Sequence, residues 1–237
     1  ASSVVSFQKW NDTFYTVKHQ LLYGFLPGLI GFLVLARLPY ERLRKLALPA
    51  LVVSWILLAA VFVPGLGYDY GGAKRWLYFG AFILQPGELV KLLLVVYLAA
   101  WLEKRNEDVK SFVHGVIPFV LIVGSVLGLI ILQPDIGTMS VVAVSAFVML
   151  FVAGLRWYHL FGLGACGVAL AYFIVKYEPY RVRRLTVFLH PELDPQGIGY
   201  HINQALLAVG SGGWFGVGLG YSRQKYQYLP EVVGDSI

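Results

Sequence analysis

The chain has 237 residues, is 58% hydrophobic and only 14% charged, and carries a formal net charge of +6, whereas soluble domains average about 25% charged residues. With a mean hydropathy of +0.68, that composition excludes an ordinary water-soluble domain. The cations flank apolar blocks and form no single stripe, which excludes a nucleic-acid partner, and the one cysteine, Cys166, excludes an internal disulfide or a cysteine-based metal cluster.

Ala1–Asp12 lacks the basic and apolar regions of a signal peptide. The missing initiator Met and the ending Gly234-Asp235-Ser236-Ile237 suggest a piece of a longer protein. Six apolar blocks then follow: Leu21–Leu38, Leu46–Val63, Gly87–Leu102, Phe112–Leu132, Thr138–Leu155 and Tyr158–Val175. Most approach the roughly 20 residues that cross about 30 Å of hydrocarbon. Each is predicted helical, because a lipid-exposed backbone must satisfy its own hydrogen bonds. The third is short and carries Glu88 and Lys91, and Gln85-Pro86-Gly87 separates it from the apolar run Leu77–Leu84.

Lysine and arginine in the short loops set the orientation. Arg37, Arg42, Arg44, Lys45, Lys104, Arg105, Lys110 and Arg156 fall on one side, against Lys9, Lys18, Lys74 and Arg75 on the other. The first side is therefore expected to be cytoplasmic, with both ends of the chain outside. Residues 1–175 form the predicted membrane region and 176–237 a large extracytoplasmic loop. Within that loop, Ile202, Leu206, Leu207 and Val209 form a helical apolar stripe beside His201, Asn203 and Gln204. This predicts a short helix, either at the membrane interface or packed on the bundle.

Several polar groups could carry chemistry. Glu88 and Lys91 share a helix face and read either as a structural ion pair or as the wall of a polar cavity. In Gln133-Pro134-Asp135-Ile136-Gly137-Thr138, Asp135 can cap the next helix or line a site with Gln133. Lys74, Arg75 and Trp76 read as interface anchors or as contacts to an anionic headgroup and a sugar. Arg181, Arg183 and Arg184 suit a diphosphate or anionic lipid. Asp235 alone reads as a solvated or capping carboxylate.

Taken together, the motifs make the chain resemble the SEDS family (shape, elongation, division and sporulation). The matching stretches are Ala1-Ser2-Ser3, Gly72-Ala73-Lys74-Arg75-Trp76, Gln85-Pro86-Gly87-Glu88-Leu89-Val90-Lys91, Gln133-Pro134-Asp135-Ile136-Gly137-Thr138 and Gly199-Tyr200. They continue through Gly212–Gly220, Ser222-Arg223-Gln224-Lys225 and Tyr228-Leu229-Pro230-Glu231. Ser-Arg-Gln-Lys before Leu-Pro-Glu favours the FtsW/SpoVE branch over RodA. The resemblance implies an all-α polytopic membrane fold of ten helices. This chain would supply the second to the seventh, six in all, then most of the large outer loop. It implies polymerisation of lipid II into glycan strands beside a class B penicillin-binding protein, other division-complex membrane proteins and membrane lipids.

The resemblance also implies that Asp235, after Leu-Pro-Glu and a short spacer, is the catalytic carboxylate. Here it stands in Gly234-Asp235-Ser236, where the family usually has Thr-Asp-Phe, and His201 stands where Gln is usual. A positioned carboxylate would take the proton of the attacking sugar hydroxyl. The departing diphosphate needs positive charge, for which Arg181, Arg183, Arg223 and Lys225 are candidates, with Lys74, Arg75 and Trp76 at the substrate. Glu88, Lys91, Gln133, Asp135 and Gln204 would form polar cavity or structural contacts. A divalent cation, Mg2+ or Mn2+, bridging Asp235 and diphosphate is compatible with this chemistry and not specified by the sequence. Inversion at the anomeric carbon is expected from the family's α-linked donor and β-linked product. The rival readings are a flippase for the lipid-linked precursor, with Glu88, Lys91 and Asp135 along its path, and a non-catalytic division scaffold. Few intramembrane charges and a polar outer loop favour the transferase.

Overall fold

All six apolar blocks are helical in the computed structural model, which describes residues 6–7, 10–70, 73–80, 83–177, 179–195, 197–213, 216 and 218. The first block lies in α1, Tyr15–Arg37. A short helix α2, Tyr40–Lys45, occupies the basic loop, and α3 is Ala47–Ala60. The third block becomes α4, Pro86–Arg105, with proline at its first position, where the missing amide hydrogen removes no helical bond. Then come α5 over Phe112–Leu132, α6 over Ile136–Val152 and α7 over Trp157–Lys176. Beyond them lie α8, Pro179–Leu189, a 3-10 turn at Pro191–Leu193, and α9, Ile198–Gly212.

Helices α1 and α5 each contain a π-helical turn, Leu21–Phe25 and Phe112–Val116, ending two residues before Pro27 and Pro118. Each proline lacks an amide hydrogen and its ring crowds the carbonyl four residues back; the wider turn relieves that crowding. For Pro118 that carbonyl belongs to His114, and it accepts a hydrogen bond from Arg105 instead.

The chain divides into two units, Leu38–Cys166 and Ala1–Arg37 with Gly167–Ile237, the boundary falling inside α7. In the central unit α4 packs against α3 and α6, and α5 packs against α3 and α6. Val90, Leu94, Leu98 and Leu102 recur every four residues along α4 and are buried. They meet Leu51 and Leu58 of α3, Phe119, Val123, Val126 and Ile130 of α5, and Val142, Ala146 and Leu150 of α6. A four-residue repeat keeps these groups on one helix face. The outward residues are apolar as well: Leu92, Leu121, Val144 and Val148 are exposed. An apolar exterior around a packed core suits lipid as the surrounding solvent. Three of the described helices, α1, α5 and α7, contain segments long and apolar enough to span a membrane.

The segment between α3 and α4 adds a small sheet to the helical fold. The motif around Lys74 and the apolar run after it form a three-stranded antiparallel sheet in order β1-β2-β3, comprising Gly67–Tyr70, Ala73–Tyr78 and Ile83–Leu84. Cross-strand pairing satisfies backbone groups that a short non-helical segment would otherwise leave open. Alternation then buries Ala73 and Leu77 on one face of β2 while Lys74 and Tyr78 stay exposed.

In the other unit α1 has no buried residues. Its start is fixed by Asp12, which accepts from the Phe14 amide at 2.9 Å and pairs with Lys18 at 2.8 Å. Helices α8 and α9 pack against each other and against the intervening 3-10 turn.

Candidate functional site

At one end of the central unit, the C-terminus of α3, the sheet, the N-terminus of α4 and the α5–α6 turn converge. Asp135 is the N-cap of α6: its Oδ1 accepts from the Thr138 amide at 3.1 Å and its Oδ2 from the Thr138 hydroxyl at 2.8 Å. The Gln85 amide donates to the same Oδ2 at 3.3 Å, linking the start of α4 to the start of α6. Gly87 makes this approach feasible. A Cβ there would lie 2.9 Å from Thr138 Cγ2.

Gln133, buried one turn away, donates to the Leu58 carbonyl at 2.9 Å. That carbonyl lies in the last turn of α3, where helices leave acceptors unfilled. The next two, Ala59 and Ala60, receive the amides of Phe62 and Val63. Glu88 and Lys91 form an ion pair at 2.8 Å along the first turns of α4, Lys91 the more enclosed of the two. Lys74 sits opposite Asp69 in the hairpin and Trp76 opposite Tyr68. Lys74 and Trp76 lie on one face of β2, and Arg75 lies on the other with Ala73 and Leu77. The Arg75 Nε is enclosed without a hydrogen-bond partner among the described residues.

The opposite end of the same unit is cationic. Arg44 pairs with Glu103 at 3.0 Å, joining α2 to α4, and Arg105 stacks over Trp101 with its guanidinium 4.8 Å from the ring centre.

The second candidate region is α8, its following turn and α9. Arg183 of α8 pairs with Asp194 at 3.0 Å. His190 lies 3.0 Å from Glu192; a backbone amide, then His190, hold the Glu192 carboxyl below its ordinary range. Gln204 is half-buried in α9. Arg181 falls in α8 with its side chain outside the described residues, and Asp235, Arg223 and Lys225 lie wholly outside them. Among the described residues no group of three or more His, Cys, Asp or Glu could hold a metal ion.

The structure therefore brings Gln133 and Asp135 to one end of the bundle as buried, hydrogen-bonded groups, and leaves Lys74 and Glu88 exposed to whatever meets that end. Sequence reasoning passed over Gln85, taking its motif as a helix break, and Asp194. A glutamine at the residue before a proline-led helix was the available signal for the first. For the second, no spacing pointed to Arg183.

A family model for cell cycle proteins of the FtsW/RodA/SpoVE type matches residues 1–237. The chain is 39% identical over its full length to the probable peptidoglycan glycosyltransferase FtsW of Trichlorobacter lovleyi, covering 62% of that protein. It is 40% identical to stage V sporulation protein E of Bacillus subtilis, covering 64% of it. The chain thus spans under two thirds of the length of these relatives. Among solved structures, one chain of a peptidoglycan synthase complex that coordinates polymerization and crosslinking aligns with a TM-score of 0.63 at 37% identity, over 79% of this chain and 55% of that one. The rod shape determining protein RodA of Thermus thermophilus aligns with a TM-score of 0.50 at 38% identity, over 60% of this chain and 46% of that one.

Proposed function

We propose that this chain, which belongs to the FtsW/RodA/SpoVE family of cell cycle proteins over its whole length, is part of a peptidoglycan glycosyltransferase that polymerises lipid II at the outer face of the cytoplasmic membrane during cell division. The observation that carries the proposal is the unbroken match, at about two residues in five, to relatives named for that activity. The fold adds two supports. One end of the central unit is ringed with cations on short connections, which suits the cytoplasmic side. The other end assembles a rigid polar platform from Gln85, Gln133, Asp135 and Thr138 beside the exposed Lys74 and Glu88.

In this proposal Asp235 is the general base for the attacking sugar hydroxyl. Arg181, Arg183, Arg223 and Lys225 offset charge on the departing diphosphate. One carboxylate suffices, because diphosphate leaves as an anion and needs no acid to protonate it, unlike the leaving group of a glycosidase. Asp135 is a poor base candidate: three donors already engage its carboxylate. A class B penicillin-binding protein is the proposed crosslinking partner, since the structural relative with the higher similarity comes from a synthase complex that joins polymerization to crosslinking.

The test is polymer formation from labelled lipid II by a full-length protein carrying this chain, co-purified with its partner while the partner's transpeptidase is blocked. The parent should form polymer, and Asp235→Asn should lose about 10²–10⁴-fold in rate. Equal polymer from both would remove Asp235 from the mechanism. Absence of polymer from either, together with lipid flipping in vesicles, would replace the transferase with a transporter.

A further inference from the structure

We infer that Asp194 is a positioning residue for Arg183, fixing the guanidinium of α8 for a diphosphate group; the inference rests on the lipid-diphosphate chemistry proposed above. Four observations bear on it. Arg183 Nη2 donates to Asp194 Oδ2 at 3.0 Å across the turn that joins α8 to α9. The two partners are unequal: the Asp194 side chain is 17% exposed and that of Arg183 66%. The carboxylate is thus the anchored member and the guanidinium the presented one.

The third observation is steric. A Cβ at Gly197 would fall 2.6 Å from both carboxylate oxygens of Asp194. The absence of a side chain at 197 is what lets the carboxylate sit where it meets Arg183. The fourth is the backbone around it. The His190 amide donates a hydrogen bond to the Thr186 carbonyl, the Leu193 amide to the His190 carbonyl, and the Gly197 amide to the Asp194 carbonyl at 3.3 Å. Residue 194 is therefore held at the junction between α8, packed through the buried Val187, and the first turn of α9.

A guanidinium carries five N–H donors in a rigid fork, and the contact to Asp194 uses one of its terminal nitrogens. Holding that nitrogen removes rotamer freedom from a long side chain and turns the remainder of the fork to solvent. Such an arrangement favours bidentate recognition of phosphate oxygens. Asp194 itself touches no substrate in this scheme, since its negative charge would repel one.

The experiment compares Asp194→Asn, Gly197→Ala and Arg183→Ala in the full-length protein, measuring kcat and KM for lipid II and, separately, binding of inorganic pyrophosphate. Asp194→Asn should lower kcat/KM for lipid II about five- to ten-fold, a charged contact discounted for the exposure of Arg183, and weaken pyrophosphate binding. Gly197→Ala, which keeps the carboxylate and displaces it, should do the same. In an Arg183→Ala background neither change should add a further effect. Equal effects with and without Arg183, or pyrophosphate binding that neither variant weakens, would overturn the inference. Loss of folding in one variant leaves the other to decide. If the parent makes no polymer, the transferase proposal fails by itself. Pyrophosphate binding then still decides: parental binding weakened by either change supports the positioning role, and unchanged or absent binding ends it.

Discussion

Replacing Gly87 with alanine should destabilise the central unit, although alanine is the better helix former. The added Cβ would sit 2.9 Å from Thr138 Cγ2, 3.4 Å from Oγ1 and 3.6 Å from Cβ, and the first of these distances requires movement. Thr138 cannot simply turn aside, because its hydroxyl bonds Asp135 at 2.8 Å and its amide bonds the same carboxylate at 3.1 Å. Overpacking of this kind costs about 1–3 kcal/mol, and the helix propensity of alanine returns up to about 1 kcal/mol in a helix interior, less in this first turn. A net loss of about 1–2 kcal/mol follows. Thr138→Ser supplies the control: it deletes Cγ2 and keeps the hydroxyl. Urea unfolding in detergent micelles across the four-member cycle should show the alanine penalty in the threonine background and nearly none in the serine background. An alanine variant as stable as the parent, or a penalty of the same size beside serine, would refute the close-approach argument.

Two further outcomes follow from the hydrogen bonding. Gln133→Leu should cost about 1–3 kcal/mol in the same unfolding assay, because it leaves the buried Leu58 carbonyl without its donor; a variant within 0.5 kcal/mol of the parent, roughly the spread of neutral surface changes, would show that another group takes over. For Asp12, the hydrogen bond from Lys18 and then the Phe14 amide hold the carboxyl below its ordinary range. Its contribution to the start of α1 is therefore fully present above the ordinary aspartate value of about 3.9 and fades as pH falls through the lower folded value. Carboxyl NMR should find Asp12 titrating below free aspartate, with faster amide exchange at Tyr15–Gln20 at the acid end; titration at or above the free value would contradict the contact.

The sequence by itself determined the membrane character and the positions of the six long helices, because hydrocarbon leaves a backbone one economical way to pair its groups. Family membership was also legible, carried by the order of motifs such as Gln85–Lys91 and Gln133–Thr138. The Asp135 cap could be read from the chain as well, since capping acts over three residues. Only the tertiary structure decided the rest. The sheet around Lys74 escaped notice because its alternation spans a few residues inside an apolar run, and a short apolar run does not distinguish strand from helix. Helix α8 was hidden by its arginines, which look like loop charge until one of them pairs with Asp194 eleven residues later. Gln133 was named as a site residue, yet its acceptor, the Leu58 carbonyl, lies seventy-five residues away. Local periodicity reports what a residue's neighbours in the chain require; it carries no record of which distant backbone group will be left without a partner until the helices pack.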